Sequence, residues 1–310
     1  MFELRQYFLL FVAATIFGSG FVAQKLGMNY VSPFTFTFLR TLIGALFLLP
    51  FVVFIKRNRT YAVNLNKISK SSLKRYSLYN RKFLQGSILC GLMLIIAESL
   101  QQFGLVYTEV NKASFITALY MIFVPIVGIF FKQKISLVIG IATLVSALGL
   151  YLMCIKEGFD MEKGDLLVFL CAITFALHIL VISYYINYVD GVMLSLGQFF
   201  CASVLGLICM LFDGLPAFDN LMLAVPAILY AGIMSNGIAY TLQIVGQRGV
   251  NPSIASLILS LESVMGAIFG IWLLQESLTR RELLGAVLMF VAVLISQYRP
   301  KKTSRSKEID

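Results

Sequence analysis

Long apolar runs alternate with short polar breaks along the whole chain. A helix needs about 20 apolar residues to cross the hydrocarbon core of a bilayer. Ten stretches come close to that length, near 4–24, 33–55, 83–106, 113–131, 135–155, 165–186, 191–212, 222–244, 253–274 and 281–298. The separators carry helix breakers, among them Ser32-Pro33, Gly158, Asp213-Gly214-Leu215-Pro216 and Asn251-Pro252, so the spans read as tightly connected hairpins. The first run follows Arg5 and has no small-residue cleavage site at the right distance, so it reads as a span and not as a signal peptide.

The pattern also repeats itself. NKASFITALYMIFVPIVGIFFKQKISLVIGIATLVSALGLYL starts at Asn111, and NPSIASLILSLESVMGAIFGIWLLQESLTRRELLGAVLMFVAVLI starts at Asn251, an offset of about 140 residues. Each has a polar start, an apolar helix, a short charged turn and a glycine-bearing apolar helix. If each half holds an odd number of spans, the second half crosses the membrane in the opposite sense to the first. The expected architecture is therefore an all-α integral membrane protein, with ten transmembrane helices arranged as two inverted five-helix repeats. Residues 1–156 form the first repeat, with a basic loop at 56–82; residues 157–298 form the second, and 299–310 form a tail.

Composition fits this class. The 310 residues are 59% hydrophobic and only 13% charged, with mean hydropathy +0.87, far from the mix of a soluble protein. The net charge of +10 is explained by topology. Of the 25 lysines and arginines, 18 fall on the side of the termini and the basic loop, six fall on the other side, and Arg40 lies inside a span. The positive-inside rule then places both termini in the cytoplasm of a cell whose plasma or inner membrane holds the chain. Charges in short juxtamembrane loops face membrane lipids, not nucleic acid. Within the basic loop, Val63, Leu65, Ile68 and Leu73 alternate with lysines, which fits either a short helix lying on the inner leaflet or an unstructured linker.

No GxxxxGK[ST], HExxH or GxSxG motif occurs, and the five cysteines show no C-x-x-C pairing. No cofactor, metal or catalytic constellation is expected, and the chain does not read as an enzyme. The competing enzyme reading would have to use Glu98, His178 and Glu262 without any paired motif.

Buried charge is the more informative signal. A carboxylate at the centre of a membrane helix costs on the order of 2.5–3.5 kcal/mol on insertion scales, so it faces a partner or a water-filled cavity. Converted to depth at about 1.5 Å per residue, His178, Asn236 and Glu262 share one layer roughly 12–15 Å from the ends of spans six, eight and nine. Arg40 and Glu98 lie roughly 10–13 Å from the opposite ends of spans two and three, at a common depth where they can pair. Glu98, Gln102, His178, Asn236 and Glu262 are thus candidates for a substrate path, set against purely structural hydrogen bonding. Arg40 is a structural ion-pair or path residue. Pro125 sits inside span four, where it removes a backbone hydrogen bond, as a hinge or a fixed kink. Gly266 and Gly270 allow close helix approach, and Trp272 suits an interfacial anchor.

The chain resembles the EamA-like members of the drug/metabolite transporter superfamily. The resemblance is carried by FGSGFVAQKLGMNYVSPFTFTFLRTLIGALFLLP (17–50), FITALYMIFVP (115–125), SLILSLE (256–262) and LLQESLTRRELLGAVL (273–288). The chain departs from the family at Phe17, where Trp is frequent, at Gln275, where Gly is usual, and at Lys132-Gln133-Lys134, where Gly-Glu-Arg is frequent. The resemblance implies a ten-helix fold and a cavity lined by helices one, three, four, six, eight and nine. It further implies secondary transport of a small-molecule substrate, with export of amino acids or related compounds as the leading expectation. Nucleotide-sugar carriage and a non-transporting membrane scaffold are the alternatives. Alternating access with protons as the coupling ion, Glu262 being protonated in one access state, and a homodimer as candidate assembly complete the expectations.

Overall fold

The structure is a computed structural model that describes residues 2–62, 70–131, 133, 136–154, 163–274 and 279–297, with the side chains of 55–62, 70–78, 153–154 and 270–274 outside that description. Among the described residues it is all-helical, without strands. Eight of its helical stretches are long and apolar enough to cross a membrane: Phe2–Gly27, Pro33–Phe54, Tyr79–Tyr107, Val110–Phe130, Lys163–Tyr185, Gly191–Asp213, Phe218–Gly246 and Pro252–Phe269. A shorter apolar helix runs over Leu137–Leu152. The protein is a multi-pass, all-α membrane protein. Thirteen α-helices among the described residues build it: α1 (Phe2–Gly27), α2 (Pro33–Ala62), α3 (Lys70–Tyr107), α4 (Val110–Ala118), α5 (Tyr120–Phe130), α6 (Leu137–Cys154), α7 (Lys163–Tyr185), α8 (Gly191–Asp213), α9 (Phe218–Tyr230), α10 (Thr241–Gly246), α11 (Pro252–Leu259), α12 (Glu262–Leu274) and α13 (Arg280–Ser296).

Two expected spans are not single helices. The span expected over 113–131 is divided at Leu119 into α4 and α5, and that over 253–274 is divided at Ser260–Leu261 into α11 and α12. Both breaks are tight turns closed by three-residue hydrogen bonds. The Ile122 N–H donates to Leu119 O at 2.8 Å, and the Ser263 N–H donates to Ser260 O at 3.2 Å. Such short-pitch turns inside a helix mark strain or a hinge. Pro125 lies within α5, beyond the break and not at it.

The eighth expected span also departs from a plain helix. It begins at Phe218, and between α9 and α10 it widens into a π-helical segment over Ala231–Tyr240. The wide turn packs on α2 because Gly232 and Gly237 carry no side chain: an added Cβ would lie 2.6 Å from Ile43 Cγ2 and 2.6 Å from Phe47 Cδ1 respectively. The loop expected over 56–82 is shorter than that, since α2 runs on to Ala62 and α3 starts at Lys70. Leu73 is thus helical, whereas Val63, Leu65 and Ile68 lie outside the described residues. Gly158, Lys132, Lys134, Gln275, the tail and the side chain of Trp272 lie outside them too.

In lipid there is no hydrophobic gain from bringing two apolar helices together, so tight association depends on small residues that let backbones touch. Gly18 of α1 faces α12, where an added Cβ would stand 2.6 Å from Glu262 O and 2.7 Å from Gly266 N. Gly91 of α3 meets α8 at Gln198 O, Gly104 of α3 meets α7 at Gly164 O, and Gly149 of α6 meets α13 at Gly285 O. α2 packs on α8, and α1 runs along α9, the π segment and α10.

The two ends of the bundle are closed by different chemistry. On the side of the N-terminus, Phe2 lies against Gly249, and Arg248 donates to Ile186 O at 3.2 Å and to Val189 O at 2.8 Å. On the other side, Lys25 donates to Leu105 O at 2.5 Å and to Thr108 O at 3.1 Å. There Asp165 accepts from Thr108 at 2.6 Å and pairs with Lys112 at 2.6 Å.

The glycine contacts generate a prediction with an internal control. Gly149→Ala places a methyl 2.6 Å from Gly285 O and is expected to cost about 1–3 kcal/mol. Gly140→Ala, on the same helix with nothing within 4 Å of the new Cβ, should be neutral or stabilising by up to about 1 kcal/mol. Thermal unfolding of the two variants in one detergent compares them directly.

Candidate functional site

A cavity of about 40 Å³ sits at the centre of the bundle, large enough for a water but not for a metabolite. Its polar wall is assembled from Gln24 on α1, Arg40 on α2, Gln101 on α3 and Thr117 on α4, with Ser235 on the π segment and Gln243 on α10. Aromatic rings close the rest: Phe17, Phe21, Tyr120, Phe175 and Tyr240. Glu262 projects into it from the first position of α12.

The break at Ser260–Leu261 explains how a carboxylate is accommodated here. It creates a helix N-terminus within the span, where the helix dipole favours negative charge. The Glu262 carboxylate shares the cavity with Tyr120, the first residue after the other break. Its Oε1 atom is buried without a hydrogen-bond partner. Nearby, the Ser263 hydroxyl donates to Ser114 O at 3.0 Å and ties the two broken spans together.

Arg40 is handled differently. It is fully buried and forms an ion pair with Glu98, itself fully buried. Its Nη1 donates to Gln24 Oε1 at 2.6 Å, while Gln102 donates to Gln24 O at 3.2 Å. Gln101 Nε2 donates to Thr117 Oγ1 at 3.2 Å. The result is a neutral polar brace joining α1, α2 and α3, with one edge of the guanidinium on the cavity.

The expected path residues therefore separate. Glu262 and Arg40 line the cavity. Glu98 and Gln102 stand behind it as partners of Arg40 and Gln24. His178 is fully buried, with Nε2 3.0 Å from Gln198 Oε1, and packs edge-on against Tyr240. Asn236 is fully buried on the π segment against Gly44, with neither amide atom hydrogen-bonded. Neither His178 nor Asn236 is part of the cavity wall. Sequence reasoning overlooked Gln24, Tyr120, Ser235, Tyr240 and Gln243, whereas Gln101 stands out beside Gln102 one turn above Glu98. The depth rule that picked out Glu262 would have found Tyr120 had it been applied to uncharged polar groups as well, but not Gln243, which lies near the end of its span.

Residues 4–155 and 162–298 each match the model of the EamA-like transporter family. The chain belongs to that family. An uncharacterised transporter of Archaeoglobus fulgidus is 28% identical over 94% of this chain and 85% of its own length. The uncharacterised transporter YoaV of Bacillus subtilis is 24% identical, covering 91% of this chain and 93% of the relative. An uncharacterised transporter of Clostridium kluyveri is 22% identical over 93% and 90%. A protein solved by crystallography shares the fold, with a TM-score of 0.70 over 94% of this chain and 96% of that one at 12% identity. The EamA-like chain is thus a membrane transporter, and the cavity wall is contributed by the six spans the family resemblance implies, with Arg40 of span two added.

Breaking a buried pair strands a charge in the membrane interior. Arg40→Met alone is expected to destabilise by about 3–5 kcal/mol, whereas Arg40→Met combined with Glu98→Leu should recover most of that loss. Thermal unfolding of the single and double variants in detergent checks the order; a double variant no better than the single one would show that Glu98 is not left stranded.

Proposed function

We propose that this protein is a secondary active transporter of small organic metabolites, an exporter of amino acids or related compounds, that works by alternating access between two inverted five-helix halves, residues 1–156 and 157–298. Ten spans are counted by taking α4–α5, α9–α10 and α11–α12 as one span each. With that count, α1 pairs with α7, α2 with α8, α3 with the α9–α10 span, the α4–α5 span with α11–α12, and α6 with α13. Packing follows the same pairing. α3 lies on α7 as α1 lies on α9–α10, and α4–α5 touches α7 as α12 touches α1. α2 on α8 and α6 on α13 join counterparts directly. The breaks at Leu119 and at Ser260 fall at matching points of the repeat, which supports two halves able to exchange conformations. The excess of basic residues on the side of the termini favours a cytoplasmic location for both ends, in a plasma or inner membrane.

The observation that carries the functional reading is that Glu262, at a helix break, lines the cavity and keeps one carboxylate oxygen, Oε1, without a hydrogen-bond partner. Arg40 is already neutralised by Glu98, so the wall offers a carboxylate, amides, hydroxyls and aromatic faces. That set suits an ammonium group, which is held by carboxylate and by ring faces. It does not suit the two phosphates of a nucleotide sugar, which call for cations not already paired. At about 40 Å³ the cavity is contracted, so loading requires the broken spans to part. In the same cycle Glu262 exchanges its ligand for a proton, which links substrate movement to protons as coupling ion.

Counterflow of amino acids in proteoliposomes should be saturable. Substrate-driven pH change in the same vesicles is expected to fall about tenfold or more in Glu262→Gln, the size of effect that follows from losing one charge-assisted hydrogen bond of about 1.5–3 kcal/mol. Lost proton flux with retained affinity assigns Glu262 to the coupling proton. Lost affinity with an intact pH response assigns it to the substrate ammonium. Wild-type values for both remove Glu262 from the mechanism.

A further inference from the structure

A second, larger concavity of about 810 Å³ lies at the N-terminal side of the bundle, and it is not an arm of the central cavity. Helix α7 decides this. Phe175 and Ile179 face the central cavity, whereas Leu177 and Val181 line the groove. Residues two apart on a helix are roughly 200° apart around its axis, so the apolar part of the groove lies on the face of α7 away from the cavity, while Ser183, one turn beyond Ile179, borders its polar end. The groove's other wall includes Leu89 of α3, 41% exposed, and Phe131 beyond α5, 63% exposed. Large apolar side chains exposed on a transmembrane bundle face acyl chains, so the groove opens sideways into the bilayer.

Its lining is graded along the membrane normal. Leu89, Leu177, Leu180 and Val181 form the deeper part, while Asn187, Gln133 and Asn251 sit at the helix ends of the N-terminal side. At the mouth, Lys82 lies near the start of the span Tyr79–Tyr107. Its Nζ donates to the Tyr184 hydroxyl at 2.8 Å and stands 4.8 Å and 4.9 Å from the ring centroids of Tyr184 and Tyr188. Tyr184 and Tyr185, both groove-lining, thus carry the ammonium at the level where tyrosine belts mark a membrane interface.

We propose that this groove is a binding site for one anionic phospholipid of the leaflet on the side of the termini. One acyl chain lies between α3, α7 and the end of α5, and the phosphate sits at Lys82. An empty apolar groove forfeits contacts on every lining atom, and water inside its deeper part finds no polar partners. The bilayer supplies the chain that fills it. The amide-bearing end receives the glycerol region, and the ammonium selects for negative charge. Tyr184 uses one of the three donors of Lys82 and holds the side chain at the mouth instead of letting it sweep the surface.

Native mass spectrometry of the full-length protein in detergent tests the site, with phosphatidylglycerol and phosphatidylcholine offered at equal concentration. Wild type is expected to retain one phosphatidylglycerol in preference to phosphatidylcholine. Lys82→Ala, a change to a half-buried side chain on the outer face of α3, should lower that preference about fivefold, and Arg81→Ala, removing the exposed neighbouring charge, should leave it intact. Val181→Trp fills the groove and should displace both lipids. Equal retention of the two lipids by wild type, or an undiminished preference in Lys82→Ala, overturns the proposal. An equal loss in Arg81→Ala points to a diffuse basic surface and also overturns it, as does unchanged retention in Val181→Trp.

Discussion

Everything at the centre of this molecule depends on a constraint set by its solvent: inside a bilayer a polar group has no water to fall back on, so it is either matched by protein or turned toward a cavity. The Arg40–Glu98 pair meets the constraint by matching. It consumes both charges, recruits Gln24 and indirectly Gln102, and thereby fixes α1, α2 and α3 relative to one another. Because that brace is neutral, it leaves the electrostatic character of the cavity to the remaining ionisable group in its wall, Glu262. A free arginine there would make the site an anion trap; a paired one makes it a neutral wall beside a carboxylate.

The membrane-spanning segments were legible in the sequence because their signal is one-dimensional: a run of about 20 apolar residues needs no knowledge of its neighbours. Glu262 was legible for a related reason, since a charge in such a run is costly wherever it points. The pairing of Arg40 with Glu98 followed from equal depth. What was not legible depends on how two segments meet. The breaks at Leu119 and Ser260 have no glycine or proline at the break itself, and their flanking serines and threonine read as ordinary helical positions. The π segment over Ala231–Tyr240 depends on α2 presenting Ile43 and Phe47 to two glycines. His178 looked like a path residue by depth alone. Depth does not report azimuth, and its ring turns toward Gln198 on α8.

The same distinction between depth and azimuth separates the two concavities. α7 has apolar residues on every side, so the sequence pattern does not say which of its faces is inner. In the structure one face carries Phe175 and Ile179 to the polar cavity, while the other carries Leu177, Val181 and Tyr184 to the groove. A single helix thus forms a wall of both compartments. Any movement of α7 that enlarges one changes the shape of the other, and the end of α5, attached to the broken span that carries Tyr120, bounds the groove as well.

That geometry gives the helix breaks a mechanical meaning. A continuous helix transmits a displacement along its whole length, whereas a span with a tight turn at mid-depth lets one half move while the other stays packed. Below the break, α4 is tied to α12 through the Ser263–Ser114 hydrogen bond, and above it α5 carries Tyr120 to the cavity that Glu262 lines. The carboxylate therefore sits in the cavity on which both breaks converge. In the cycle proposed above, an incoming ammonium or proton gives the carboxylate a partner where it would otherwise stand alone in a low-dielectric interior. In that proposal ligand and conformation are coupled because a buried charge without a partner is the arrangement the bilayer tolerates least.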